Sequence, residues 1–518
     1  MKKNKLLLSL IISLIVIVTT CPFGSIADET DTDIKYGGTL KVVTTDSDGS
    51  GPIGQPWIMA SSITAARVAV PCFDTLVTMD AESNLYPCLA ESWEFSEDKT
   101  SLTIKLREDV SFTDGTPFNA EAVIWNIQKW KENGMVDMCY AWTNIEAVDE
   151  YTVKIDLMFY QNNALSGFAE PFLGFISPSA YEENGGDEWA GSNIVSTGPF
   201  ILDKLEVGVG WSYIKNENYW GEGPYLDAIE FQFISDDNTA KLMLMSGDCD
   251  IVQWTSFGEA DIKAELLGAG YDLIDYAVGN EPAALFFDSA NEDSPFANKL
   301  VRQAVDYAID KDAIASMGMG TWFATDQIIG QDSKYYNPEL VRGYDPDKAK
   351  ELLAEAGYPD GFSTQLIVEN TSDENTFVAI SQYLKAVGIE AELKIVPPSD
   401  KFGFVLGGFE GLLDLLVPNG PNYMATSYKF LGKNGIVVSL DKPDEMEAII
   451  NKGQFCELGD EQGEYIKELA EYCYENCTVL PTITSSGVIG ARAAYVHDDG
   501  WGGLTTGYWT PGKCWLDR

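Results

Sequence analysis

The stretch from Leu85 to Trp130 constrains the fold of this chain more than any other. Ser92-Trp93-Glu94-Phe95 reads as a short half-buried strand, followed by the polar turn Ser96-Glu97-Asp98-Lys99. Leu102, Ile104 and Leu106 alternate with Thr103 and Lys105, the period of two that puts every second side chain on one face of a sheet. Thr113-Asp114-Gly115-Thr116-Pro117 is a turn with Asp-Gly as its dipeptide. Asn119 then predicts an N-cap, and Ala120 to Lys131 a helix with Val123, Ile124, Ile127 and Trp130 on its apolar face. Asp114 reads as a turn former rather than a catalytic acid. A chain of 518 residues is too long for one core and divides into two or three domains.

The charge narrows the partners. The 34 basic and 80 acidic residues leave a net charge of −46. Nucleic acid and anionic membrane are excluded, because their phosphates would be repelled. Met1-Lys2-Lys3-Asn4-Lys5 followed by the apolar run Leu6 to Val18 is the pattern of an export signal, so residues 1–27 read as a signal peptide and 28–35 as an acidic linker. Ser25-Ile26-Ala27 is a small-x-small cleavage site, while Cys21 is an alternative lipid anchor behind the poor lipobox Val18-Thr19-Thr20. Either way the chain is expected at the cell surface, outside the cell or in the periplasm. Eight cysteines follow residue 27, and export predicts at least one disulfide, with Cys72–Cys88 the first choice. Cys473 and Cys477 lie four apart on a helix, where a bridge is strained.

Catalytic chemistry is poorly supplied. His497 is the one histidine, and there is no Gly-x-Ser-x-Gly elbow, P-loop or dinucleotide fingerprint. No Cys-x-x-Cys pair exists, which argues against zinc, and nickel is disfavoured for want of histidine. The expectation is therefore a non-enzyme without cofactor or metal. Binding residues are better supplied. Trp57, Trp254, Trp322, Tyr423, Trp501 and Trp509 lie in Gly-, Pro- or Asn-rich loops, and at least two are expected to line a cleft for a small molecule.

Several distinct blocks follow along the chain, with no internal repeat. Gly37-Gly38-Thr39-Leu40 opens the fold as a strand, and Ile58 to Val70 reads as a helix. Ser196-Thr197-Gly198-Pro199-Phe200 leads through Asn216, Tyr219 and Trp220 to a strand with Ile229, Phe231 and Phe233 on one face. Val301-Arg302-Gln303-Ala304-Val305-Asp306-Tyr307-Ala308-Ile309-Asp310 lies on a helix, and Asp345-Pro346 caps the next, ended at Gly357. Beyond residue 360 the pattern is strand, helix, strand: Thr364 to Val368, Thr376 to Val387, Ala391 to Val396.

These blocks, with Pro87-Cys88-Leu89-Ala90-Glu91-Ser92-Trp93 and the run Leu106 to Val123, resemble the signature of the family 5 extracellular solute-binding proteins, the peptide and nickel receptors of ABC importers. That family usually has His where Thr113 stands and Asp where Ala122 stands. The resemblance implies an α/β, bilobed periplasmic-binding-protein-like (class II) fold with an additional α/β domain. Residues 36–74, 197–277 and 480–518 would form a discontinuous first lobe, 75–196 the appended domain and 278–479 the other lobe. Tyr276–Val278 and Val479–Leu480 would be the hinge. The implied function is capture of a peptide-like or other polar solute by a monomer and its delivery to membrane permease subunits. The alternatives are a secreted carbohydrate-active or hydrolytic enzyme, or a chemosensory binding protein.

One departure bears on the ligand. Peptide receptors of the family carry an acidic Asp-Tyr-x-Asp element in the second lobe. Here the region reads Phe409-Glu410-Gly411-Leu412-Leu413-Asp414-Leu415-Leu416-Val417-Pro418-Asn419-Gly420-Pro421-Asn422-Tyr423, without that element. Asn419 and Asn422 can hydrogen-bond a ligand but supply no charge, so Asp46 or Asp48 would have to meet a peptide ammonium. N-terminal sequencing of the exported protein is expected to read from Asp28. A blocked, lipid-bearing Cys21 would instead make it a lipoprotein.

Overall fold

The computed structural model describes residues 34–45, 49–59, 63–80, 84–133, 139, 141–254, 260–275, 282–331, 333–370, 372–417, 422–485, 488–498 and 510–518. Residues 35–518 cluster as one compact unit. Three larger sheets organise them.

The first sheet has seven strands in the order Asp272–Asp275, Val488–Arg492, Ile251–Gln253, Thr39–Thr44, Ala228–Phe233, Gly210–Lys215 and Phe200–Glu206. Thr39–Thr44 pairs in parallel with Ala228–Phe233 on one side and Ile251–Gln253 on the other, so it must be covered on both faces. Leu40 and Val42 enter one core, and Val43 the opposite one with Trp254 and Leu266.

The second sheet has six strands: Trp322–Ala324, Val479–Ser485, Ala283–Phe287, Leu412–Leu416, Phe362–Glu369 and Ile389–Val396. Along Ala283–Phe287 the period of two splits the core cleanly. Leu285 and Phe287 pack with the helix Lys299–Ala308, while Ala284 and Phe286 pack with Ile449, Ile450 and Leu469 on the other face. Val479–Leu480, expected at the hinge, are instead interior strand residues: Phe286 pairs with Val479 and Leu285 with Leu480. The second sheet therefore keeps the chain through Ser485.

The third sheet, Ala90–Phe95, Ser101–Leu106, Thr152–Leu157 and Trp142–Asp149, is antiparallel. Leu102, Ile104 and Leu106 are fully buried, as their alternation requires. The helix Ala120–Asn133 follows its expected cap, with the Ala122 amide donating to the Asn119 side chain at 3.0 Å. Asp114 folds its turn by accepting from the Thr116 amide and hydroxyl at 2.9 and 2.6 Å. Across the expected helix from Ile58 to Val70 the described residues Pro56–Met59 and Ile63–Ala69 are helical, and Val70–Cys72 tightens into a 3₁₀ turn around Pro71.

The blocks that carry the family resemblance are structural ties. Asp74 is buried and accepts hydrogen bonds from Thr197 Oγ1 (3.0 Å), Tyr219 OH (3.0 Å) and Trp220 Nε1 (2.9 Å). Burial pushes its carboxyl above the ordinary range, against those three bonds. Gly198 is there because a Cβ would sit 2.4 Å from the Cys72 backbone. Arg302 spends its guanidinium on the carbonyls of Phe296, Ala297, Asn476 and Cys477, tying the helix Lys299–Ala308 to the end of Asp460–Asn476. Asp306 on the same helix faces Lys311 Nζ at 2.6 Å and Arg342 at 3.0 Å, and Lys311 also contacts Asp326.

The eight cysteines among the described residues are free thiols, so the expected Cys72–Cys88 disulfide is absent. The two sit in separate surroundings: the Cys72 carbonyl accepts from the Gly198 amide, and the Cys88 carbonyl from Arg107 Nε. Burial pushes both thiols up to about 12.

Two measurements follow from this packing. Thiol titration in denaturant without reductant is expected to count eight thiols in a chain beginning at Asp28. Asp306→Ala leaves buried cations short of a partner and is expected to cost about 3–5 kcal/mol in urea unfolding.

Candidate functional site

Strand direction locates the site. In the first sheet Ile251–Gln253 runs parallel to Thr39–Thr44, and Val488–Arg492 runs antiparallel to both Ile251–Gln253 and Asp272–Asp275. Asp272–Asp275 therefore runs with the parallel set, and Asp275 ends at that set's carboxyl edge. In the second sheet Leu412–Leu416 and Ile389–Val396 run with Phe362–Glu369, while Ala283–Phe287 is antiparallel to Leu412–Leu416 and to Val479–Ser485. Ala283 thus starts, and Ser485 ends, at the carboxyl edge of the second sheet.

The chain passes from first sheet to second between Asp275 and Ala283, and back between Ser485 and Val488. Both crossings join one carboxyl edge to the other. The carboxyl edges of open α/β sheets are where side chains and loops converge without being consumed by strand pairing, so ligands settle in the crevice outside them. Two crossings also make a natural hinge. The expected hinge residues Tyr276–Val278 lie outside the described residues.

Each candidate from the sequence has a definite place. Asp46, Asp48, Asn419, Trp501 and Trp509 lie outside the described residues. Trp57 does not line an open cleft: it is 1% exposed and meets Trp125 and Tyr181 edge to face at 6.3 and 5.9 Å between ring centroids. Trp254 follows Gln253 at the carboxyl edge of the first sheet but is fully buried among Val43, Ala240, Ile262 and Leu266. Trp322 opens a strand opposite Ser485, at the carboxyl edge of the second sheet, and is buried against Gly318.

Asn422 is also committed to structure. It caps the helix Tyr423–Leu431 by accepting from the Ala425 amide, donates to Asn162 Oδ1 at 2.6 Å and accepts from Gln462 Nε2 at 2.8 Å. Tyr423 donates its hydroxyl to the Ile328 carbonyl at 2.9 Å. A loop amide and an aromatic in a Gly/Pro/Asn-rich run look alike whether they cap a helix or face a ligand, and only burial separates the two.

Sequence reading passed over the strand termini. Thr484 is fully buried beside the carboxyl end of its strand, and its hydroxyl has no hydrogen-bond partner among the described residues. The Trp254 indole N–H, at the corresponding edge of the first sheet, is in the same state. Buried polar groups in folded proteins nearly always have partners, but the core indoles of Trp130 and Trp142 are in the same state, so these two donors do not by themselves mark a ligand contact. Lys401 near the carboxyl end of Phe362–Glu369 is already engaged, 2.8 Å from Glu369 and 3.7 Å from Asp414. Burial lifts the Asp414 carboxyl to about 6 despite that lysine. A separate open depression of about 450 Å³, with Asp288, Asn291, Gln365, Phe409, Glu410 and Ser439 in its wall, adjoins the other end of the second sheet, beyond Phe287.

Residues 84–433 match the model of the bacterial extracellular solute-binding proteins, family 5 Middle. The chain belongs to this family. It is accordingly the substrate-binding component of an ABC importer, with a bilobed periplasmic-binding-protein-like fold. It is 31% identical over 362 residues to the glutathione-binding protein GsiB of Escherichia coli O1:K1, across 67% of this chain and 68% of that one. Among solved structures it resembles the periplasmic binding protein DppA of Helicobacter pylori in complex with the peptide STSA (TM-score 0.78, 22% identity, 93% and 99% of the two chains). It also resembles NikA of Brucella suis in complex with Fe(III)-EDTA (TM-score 0.79, 23% identity, 93% and 100%). At those identities the two structures speak for the fold. No helix among the described residues is long and apolar enough to cross a membrane.

The burial of the tryptophans sets an expectation for mutagenesis. Trp57→Ala removes a buried ring pair and is expected to destabilise the fold by about 3–5 kcal/mol. Calorimetric melting would show this, with affinity for any bound solute unchanged.

Proposed function

We propose that this family 5 receptor is an exported monomer that closes its two lobes over a small peptide-like solute and hands it to the permease without any covalent step. The lobes are those built on the first and second sheets, and the domain carrying the third sheet is the appended one. Glutathione and short peptides of its size are the ligand class. The observation that carries this choice is the 31% identity to a glutathione-binding protein over two thirds of both chains. The two carboxyl edges supply the crevice that the solute enters.

The ligand's charge is the second part of the proposal. Asn422 is consumed by its cap and its neighbours, which leaves no acid between Val417 and Tyr423 to meet an ammonium. Asp46 or Asp48, just past the end of Thr39–Thr44, takes that role, with Asn419, Trp501 and Trp509 as further contacts. Export through the leader, or anchoring at Cys21, places the site outside the cytoplasm.

A thermal-shift panel tests the reading: reduced glutathione, a dipeptide, a tetrapeptide, an oligosaccharide, mannopinic acid and chelated nickel. Reduced glutathione or a short peptide is expected to raise the melting temperature, with a stabilisation of about 2.7 kcal/mol at 100 times its dissociation constant. Asp46→Asn combined with Asp48→Asn is expected to weaken that ligand by at least about tenfold, the loss of one charge-assisted contact. A shift from the oligosaccharide or the chelate, with every peptide silent, overturns the ligand class.

A further inference from the structure

The appended domain touches the second lobe through a polar junction. Asn162 is its centre and is 2% exposed. Its side chain donates to the carbonyls of Gly453 (2.7 Å) and Cys456 (3.2 Å), and its backbone amide donates to the Gln454 carbonyl (3.0 Å). Its Oδ1 accepts from Asn422, which also reaches Ser166 at 3.3 Å. Gln462 completes the network by donating to Asn422 Oδ1 and to the Gly453 carbonyl. Around the rim, Gln161 meets Gln454 at 3.4 Å, Lys99 pairs with Glu457 at 3.0 Å, and Phe159 stands edge-on to Phe455.

The hydrophobic cores stop on either side of this network. Ala164, Leu165 and Phe168 belong to the cluster that runs unbroken from the third sheet into Leu40, Val42 and Ile229 of the first. Met424, Ile449 and Ile450 belong to the cluster on the second sheet with Phe286 and Ile367. The appended domain therefore moves with the first lobe. The second lobe is joined to that body in sequence only by the crossings after Asp275 and after Ser485. A rotation about those crossings moves the body that carries residues 453–457 relative to the body that carries residues 159–166.

We propose that the Asn162 junction is a latch: its hydrogen bonds form when the lobes close, break when they open, and set the fraction of closed protein before any solute binds. The inference rests on the two-lobe reading above and is independent of which solute is bound. Hydrogen-bonded polar surfaces suit such a role, because water satisfies the same groups once they part, whereas a shared apolar core would resist separation. Because apparent affinity scales with the population of the binding-competent form, the latch tunes affinity from outside the crevice.

Small-angle scattering on the solute-free protein tests this without any ligand. Three proteins are compared: wild type, Asn162→Ala, and the double variant Gln161→Cys/Gln454→Cys after oxidation, which ties the latch shut. The radius of gyration is expected to rise from the oxidised variant through wild type to Asn162→Ala, with unchanged far-UV circular dichroism. Lys99→Ala/Phe455→Ala alters only exposed rim groups and takes the place of Asn162→Ala if that protein fails to fold. Identical scattering from wild type and the unlatched variant overturns the proposal, as does coincidence of all three. A null result in the ligand panel leaves this test untouched. Where reduced glutathione does bind, Asn162→Ala is expected to weaken it about tenfold, the scale of a lost buried hydrogen bond.

Discussion

The protein is built around the constraint that two crossings join its two main sheets, each from carboxyl edge to carboxyl edge. A parallel strand must return over a face of its own sheet, so its carboxyl end is left facing loops and solvent. Bringing two such ends together makes a crevice without any side chain being dedicated to its walls. It also leaves a narrow connection about which the lobes can turn. Fold and capture mechanism thus rest on the same topological fact.

Around that constraint the motifs that carry the family resemblance act as fasteners. Asp74 gathers Thr197, Tyr219 and Trp220 from a segment more than a hundred residues away and ties together two stretches of the discontinuous first lobe on either side of the appended domain. Arg302 and Asp306 do the same inside the second lobe, one on backbone carbonyls and the other between two cations. Buried polar groups are costly unless every partner is present, so such fasteners tolerate little change even though they never meet a ligand. A family resemblance carried by these residues reports architecture strongly and ligand weakly. The Asn162 junction uses the same chemistry in a reversible setting, where neither side shares its apolar core with the other.

Local pattern and tertiary placement contributed differently. The alternation of Leu102, Ile104 and Leu106, the Asn119 cap, the Asp-Gly turn and the helix after Asn298 were legible because each depends on neighbours within a few residues. The helix read across Ile58 to Val70 ends at Ala69, where the chain tightens into the 3₁₀ turn around Pro71. The boundary at Val479 was misplaced because a fully buried strand carries no mark of which sheet it joins. The expected disulfide failed for a related reason. An even count of cysteines says nothing of whether two thiols face each other, and here Cys72 is buried and Cys88 half-buried, both as free thiols.

The sequence by itself determined the family, the α/β class, the export pattern and the poverty of catalytic groups, because these follow from composition, short motifs and periodicity. Only the tertiary structure decided that Trp57 is core, that Asn422 is a cap and a bridge, and that Thr484 and Trp254 are buried beside the carboxyl ends of their strands. The physical reason is that a tryptophan or an asparagine has the same chemistry in a core, at a helix cap or beside a solute. What it does is set by which distant strands and helices enclose it, and that depends on contacts hundreds of residues apart.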